Sequence, residues 1–373
     1  MNIIIFEDLN VSNLKPFSIN HPSFELKCGV HSNLDRIINI FEEDTNYYLI
    51  VREEIKDLIQ EKYPRYTVNP NLIPDGLYLN GAAIWNKKNI NQISSGYAFS
   101  SSGNLVAFNS NKKIKFEDIS STIKKVSKVT SDLDINYISY LWDCIDNLEK
   151  TLVLDSKNFK NNTPHLEKGC ILDDSTGPIL LGKNVTIKSG AILKGPIFID
   201  QNSTINEGAI LKGNIIIGPQ CKIGGEVTDT IFQGYSNKQH AGFLGHSYIG
   251  EWVNLGANTN NSNLKNNYGK IKFNFSDKVV DTHKIFLGVM IGDFTRTGIS
   301  TMINTGSYIG LGANLFGAGF QNKHTKSFSW GNNQITDFNK FIDTIKIIKS
   351  RRNKEISDLE ISFLKYYYQL INK

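Results

Sequence analysis

The chain has 373 residues, 40% hydrophobic and 21% charged, with a formal net charge of +5. This balance is that of a soluble globular protein of two or three domains and excludes a disordered or fibrous chain. Its lysines are spread along the chain rather than clustered, which argues against a nucleic-acid or membrane partner. Cys28, Cys144, Cys170 and Cys221 lack metal-ligand spacing, so reduced thiols in the cytoplasm are expected. The N-terminus turns acidic at Glu7, too soon for a signal peptide.

In chain order, Ile3–Phe6 and Tyr47–Val51 read as short buried strands. Ser32 is placed to cap a helix running to Phe41, and Glu53–Tyr63 forms a second amphipathic helix. Strand, helix, strand, helix implies a parallel sheet in an α/β domain, residues 1–150. The Lys113–Lys150 segment reads as largely helical, with Leu141, Trp142, Ile145 and Leu148 on one face.

From Leu181 the pattern changes. Leu181, Ile187, Leu193, Ile199, Ile205, Leu211, Ile217 and Ile223 recur every sixth residue. Four places after each stands a small or β-branched residue: Val185, Ala191, Ile197, Ser203, Ala209, Ile215, Cys221 and Val227. Three short strands per coil produce this period, so residues 165–331 are expected to form a parallel β-helix. A shift of two residues near Gly224-Gly225 is followed by Ile231, Asn237, Phe243, Ile249 and Leu255. A polar interruption, Asn260–Lys284, reads as a loop thrown out from one edge, and the period returns as Ile285, Ile291, Thr297, Ile303, Ile309 and Leu315. Asp337–Lys349 and Asp358–Ile371, within residues 337–373, are helices expected to close the open end of the prism.

The richest segment chemically is Asn237-Lys-Gln-His-Ala-Gly-Phe-Leu-Gly-His-Ser-Tyr-Ile-Gly250, followed by Leu255-Gly-Ala-Asn-Thr-Asn-Asn-Ser-Asn263. It resembles the acetyltransferase domain of the bifunctional enzymes that acetylate glucosamine-1-phosphate and then uridylylate it. Those carry a Lys-x-x-His run ending in Tyr-Leu-Gly, then Gly-Ala-Gly-Thr and an Asn before a loop. The resemblance implies a left-handed β-helix in which His240 is the catalytic base and Asn263 orients it or binds substrate. It also puts Phe243 at a substrate-contacting position; Asn258 departs from the family glycine. A neutral imidazole suits this chemistry, because an amine must lose a proton as it attacks a thioester. Backbone N–H groups or an Asn amide would meet the developing oxyanion.

Lys238 is expected to contact a substrate phosphate. Acetyl-CoA as cosubstrate is implied by the resemblance, with Ser300, Asn304, Ala313 and Arg296 in the later coils as its contacts, Arg296 meeting a phosphate. A homotrimer is implied likewise, with an amino sugar phosphate or nucleotide sugar as acceptor.

The N-terminal segment Leu14-Lys-Pro-Phe-Ser-Ile-Asn-His-Pro22 resembles the Leu-x-Pro run of sugar-phosphate nucleotidylyltransferases. The Gly-rich phosphate loop of that family is replaced by Glu7-Asp-Leu-Asn-Val-Ser-Asn13, and Ser23 stands where the family has Lys. The domain is therefore expected to be a degenerate, truncated nucleotidyltransferase-like unit. The whole chain resembles short sugar nucleotidyltransferase-like proteins that join such a domain to a prism. Three other readings stand beside the acyltransferase. One is nucleotidyl transfer from UTP or dTTP with magnesium, using Lys15 and Lys27. Another is a zinc site built from His240 and His246. The last is a non-catalytic trimeric scaffold.

Overall fold

The computed structural model describes residues 1–41, 44–93, 98–332 and 334–372. The apolar run Asn2–Phe6 is an interior strand of a seven-stranded sheet, pairing in parallel with Asn46–Ile50 on one side and with the central strand Gly76–Asn80 on the other. The sheet is mixed, not purely parallel as expected. Asn104–Ser110 runs antiparallel to both its neighbours because Ser102 and Gly103, at φ 49° and 80°, turn the chain in a two-residue hairpin after Ala98–Ser101. Ser32 caps the helix Asn33–Ile38 through a reciprocal pair with Asp35, and the helix ends three residues before Phe41. The second helix is Lys56–Lys62. The Lys113–Lys150 stretch is less helical than expected, since the short strand Ser131–Asp132 separates the helix Ile119–Val126 from Leu141–Asp146.

The six-residue period builds a parallel β-helix with three flat faces. The first face holds Thr186–Ile187, Thr204–Ile205 and Lys222–Ile223; the second holds Ile192–Lys194 and Ile210–Lys212; the third holds Ile179–Leu181, Ile197–Ile199 and Ile215–Ile217. Leu181 lies over Ile199 and Ile199 over Ile217, an 18-residue coil. The side chains of the first ladder are shut inside the prism. Burying one aliphatic side chain per face is worth about 2 kcal/mol each, the main force holding so many short strands together.

The register then departs from the expected one. The corners at Gly224-Gly225 and at Asp229 are both shortened, so Val227 lies over Leu211, Phe232 over Ile217 and Lys238 over Ile223. Phe232, Lys238 and Leu244 therefore occupy the interior positions expected for Ile231, Asn237 and Phe243, which face outward. Ile231 is still buried, but from outside, against the N-terminal part. The coil leaves the prism after Asn263 and rejoins it at Leu287, so Ile285, 48% exposed, is not a rung. Within this excursion the hairpin Lys272–Asn274/Val279–Asp281 sets Phe273 and Phe275 against Trp142 and Tyr308.

The helices Phe338–Ser350 and Asp358–Ile371, capped by Asp337 and Ser357, lie along a prism corner rather than over its open end. That corner stacks Trp252, Phe294, Gly312 and Phe328, each at φ near 60°. Phe341 fits between Phe294 and Phe328, and a Cβ on Gly312 would stand 2.7 Å from its ring. One hydrophobic cluster runs from the N-terminal sheet through this corner into both helices. Among the described residues no helix is long and apolar enough to cross a membrane.

Candidate active site

Where the second face turns into the third, Asp229, His246 and Asn263 occupy the same corner of successive coils, 17 residues apart. His246 takes the left-handed conformation, φ 50°, that this corner demands, and its N–H donates to Thr228 O at 3.1 Å. The buried Asn261 side chain fixes the turn: its oxygen accepts from Gly245 N at 2.8 Å, and its amide donates back to Gly245 O at 3.0 Å. A Cβ on Gly245 would collide with the Phe243 ring and the Asn263 amide, so glycine lets these two converge beside His246.

The Asn263 amide lies 3.0 Å from His246 Nδ1, and Asp229 Oδ2 lies 3.8 Å from Nε2. Asp229 is itself held by Asn214 at 2.9 Å and Thr228 Oγ1 at 2.8 Å. Phe286, at the far end of the excursion, stacks on the imidazole with centroids 5.2 Å apart. Burial lowers the His246 pKa, Asp229 opposing, so the ring is neutral near pH 7. As placed, Asn263 donates to Nδ1 and the ring proton sits on Nε2; with the amide turned over, its oxygen accepts from Nδ1 and Nε2 carries the free lone pair. A neutral imidazole with its tautomer set by an amide, and a carboxylate ready to stabilise its charged form, is equipped for general base chemistry.

Asn263 and Phe243 thus come together, but around His246 rather than His240. His240 is exposed at the preceding corner, and no described residue hydrogen-bonds its ring. Within one chain the two histidines, at different corners, do not share an ion. The phosphate contact expected of Lys238 is corrected: its Nζ lies inside the prism and donates to the carbonyls of Gly224, His240 and Gly242 at 3.0, 3.1 and 2.6 Å.

The expected coenzyme A contacts are scattered. Ala313 faces the prism interior, out of reach of a ligand, because it falls on the small inward position of its coil. Ser300 is exposed at the His240 corner and accepts from Asn258 at 3.2 Å. Asn304 borders a different cavity, beside Ser262 and Lys265. Arg296 lies on the outer side of the first face. Asp229 and Asn261 went unread in the sequence; the 17-residue spacing was the available signal for Asp229.

At the carboxyl ends of the first parallel strands, where nucleotide ligands of α/β sheets bind, the chain fills its own cleft. Buried Glu7 accepts from Ser23 N at 2.8 Å and pairs with Arg52 at 3.0 Å, while Arg52 also donates to the carbonyls of Ser18, Ile19 and His21. Lys27 is engaged by Asp200 at 3.1 Å and Lys15 is exposed, so the two make no joint phosphate cradle. His21 is held between Glu25, at 2.5 Å, and Asp293 of the prism, at 2.8 Å. Burial alone would lower its pKa, but the two carboxylates raise it to about 10. Near neutral pH it is a charged link between the two parts of the chain.

Residues 3–163 match the model of the sugar nucleotidyl transferase family. Over 177 residues the chain is 33% identical to a bifunctional sugar-1-phosphate nucleotidylyltransferase/acetyltransferase of Sulfurisphaera tokodaii, 47% of this chain and 43% of that protein. Over 85 residues it is 34% identical to the bifunctional protein GlmU of Methanocaldococcus jannaschii, 23% of this chain and 21% of that one. The matches span less than half the length of either relative. A solved Bacillus cereus chain assigned as an acetyltransferase aligns at 14% identity and a TM-score of 0.24, over 57% of this chain and 95% of that one, a likeness too slight to bear on the argument.

Proposed function

We propose that the protein is an acyltransferase that moves an acetyl group from a coenzyme A thioester to the amine of an amino sugar phosphate or nucleotide-linked amino sugar. The single observation that carries this reading is the His246 imidazole, kept neutral by burial and held between Asn263 and Asp229. His246 Nε2 takes the proton as the amine nitrogen attacks the thioester carbonyl; the C–S bond then breaks and the thiolate leaves, protonated to the free thiol. Asp229 stabilises the imidazolium in between. Phe243 and Phe286 form apolar walls for the acceptor. The N-terminal domain, its cleft filled by its own loop, serves as a structural partner and needs no magnesium. The protein acts in the cytoplasm as a homotrimer, for which exposed Ile299, Met302, Phe316 and Phe320 offer an apolar surface.

Free-thiol release from acetyl-CoA across a panel of amino sugar phosphates tests the assignment. The His246→Gln variant should lose on the order of 100-fold or more in kcat, as for removal of a general base. The His240→Gln variant should stay within about twofold of the parent by the same reasoning. An active His246→Gln enzyme beside an inactive His240→Gln enzyme would overturn the proposal.

A further inference from the structure

Between the outer side of the first prism face and the helix Phe338–Ser350 lies a cavity of about 610 Å³. Its size is that of a typical small-ligand site. Phe294, Phe341, Ile345 and Ile348 give it an apolar floor, and Arg296 and Lys340 border it. Arg296 is more buried than exposed, yet no described residue accepts a hydrogen bond from its guanidinium or pairs with it. The carboxylate bordering the cavity, Asp337, is used to cap the helix by accepting from Lys340 N at 2.9 Å. Burial without a compensating anion pulls the Arg296 pKa down, the electrostatic mark of an unmatched cation. A guanidinium withdrawn from water with its donors unused is a standing demand for an anion.

The second element is Trp330. It is 46% exposed, whereas Trp85, Trp142 and Trp252 are at most 6% exposed. Phe316 steadies it edge-on at 5.3 Å, and it borders both this cavity and the shallower groove that continues past Arg296 and Asn314. An open aromatic face beside unmatched positive charge is the pairing that recognises a flat base carrying a phosphate.

We propose that this cavity binds a nucleoside phosphate, either a free nucleotide or the nucleotide end of coenzyme A, with its phosphate on Arg296 and Lys340 and its base against Trp330. The site lies a full prism face away from the His246 corner; its free-nucleotide source is independent of the acyl-transfer reading, and its coenzyme A source rests on it.

Because Trp330 alone among the tryptophans is open, intrinsic fluorescence of the full chain reports on it directly. ADP, UDP, coenzyme A, adenosine and inorganic phosphate are titrated by fluorescence quenching and by equilibrium dialysis. Saturable binding of the nucleotides is expected, with adenosine and phosphate each weaker by on the order of tenfold or more, since each keeps only one of the two contacts. Arg296→Gln should weaken nucleotide binding by about tenfold or more and Lys340→Gln by a smaller factor, without lowering the melting temperature. Trp330→Phe should abolish the quench while dialysis still detects binding. Coenzyme A tighter than ADP identifies the thioester donor as the source; ADP or UDP at least as tight identifies a free nucleotide. Absence of saturable nucleotide binding below millimolar concentration, or binding that both Arg296→Gln and Lys340→Gln leave unchanged, overturns the proposal.

Discussion

Replacing Lys238 by methionine tests the interior of the prism. Burial, only partly opposed by Glu226, lowers the lysine pKa from 10.5 to about 8. At about 1.36 kcal/mol per pH unit, keeping the ammonium inside costs about 3 kcal/mol at neutral pH. Methionine avoids that cost but removes the donor to the carbonyls of Gly224, His240 and Gly242, and each buried acceptor left unmatched costs about 1–3 kcal/mol. Three such losses exceed the relief, so Lys238→Met should lower stability at pH 7 by about 2 kcal/mol or more, although methionine is the more natural rung. The pH dependence has a definite sign. Between about pH 8 and 10.5 the unfolded lysine holds a proton that the folded one has released, so stability rises with pH through this window. The parent's advantage over Lys238→Met should therefore widen by about 3 kcal/mol across it. Urea unfolding of both proteins at pH 7, 8, 9 and 10 measures the gap, and tyrosines and histidines common to both cancel in the difference. A variant more stable than the parent at pH 7, or a gap that stays flat with pH, would refute the reasoning.

The His21 link carries the opposite pH sign. With its folded pKa raised to about 10, it contributes fully below about pH 6.5 and loses that contribution as pH climbs through 10. The stability advantage of the parent over His21→Asn, followed by urea unfolding, should shrink over that range, and a gap that grows would count against the charged link. Asn261→Ala removes the side chain that spans Gly245 N–H and C=O, leaving the buried Gly245 N–H unmatched while Ser247 still donates to the carbonyl. A loss of about 1–3 kcal/mol is expected in urea unfolding, together with a fall in thiol-release kcat as His246 loses its support.

The prism itself was legible because its geometry leaves a direct trace in the chain. Each flat face needs one inward apolar side chain, and the unbroken ladder from Leu181 to Ile223 could satisfy no other period. Beyond Gly224-Gly225 the trace becomes ambiguous. Ile231-Phe232 and Phe243-Leu244 offer an apolar residue in either of two adjacent registers, and pairing between coils selects Phe232 and Leu244. The same one-residue choice sends Lys238 inside, against the ordinary preference of lysine for solvent.

The site was half legible for the same reason. His240 and His246 stand six residues apart and look equivalent along the chain, while Asn263 stands out before the polar interruption with Phe243 nearby. Which histidine Asn263 reaches depends on coil length, and only a 17-residue coil stacks Asp229, His246 and Asn263 at one corner. The path of the C-terminal helices was likewise invisible, because their caps and apolar faces specify that they form but not which surface receives them.

Local rules acting on neighbouring residues therefore determined the elements of this protein: the six-residue ladder, the Ser32, Asp337 and Ser357 caps, and the apolar strand Asn2–Phe6. Tertiary structure decided the register after the shortened corners, the partner of Asn263 and the seat of the C-terminal helices. Each of these rests on contacts between residues far apart in the chain, where competing arrangements bury similar apolar surface and only packing against the whole molecule separates them.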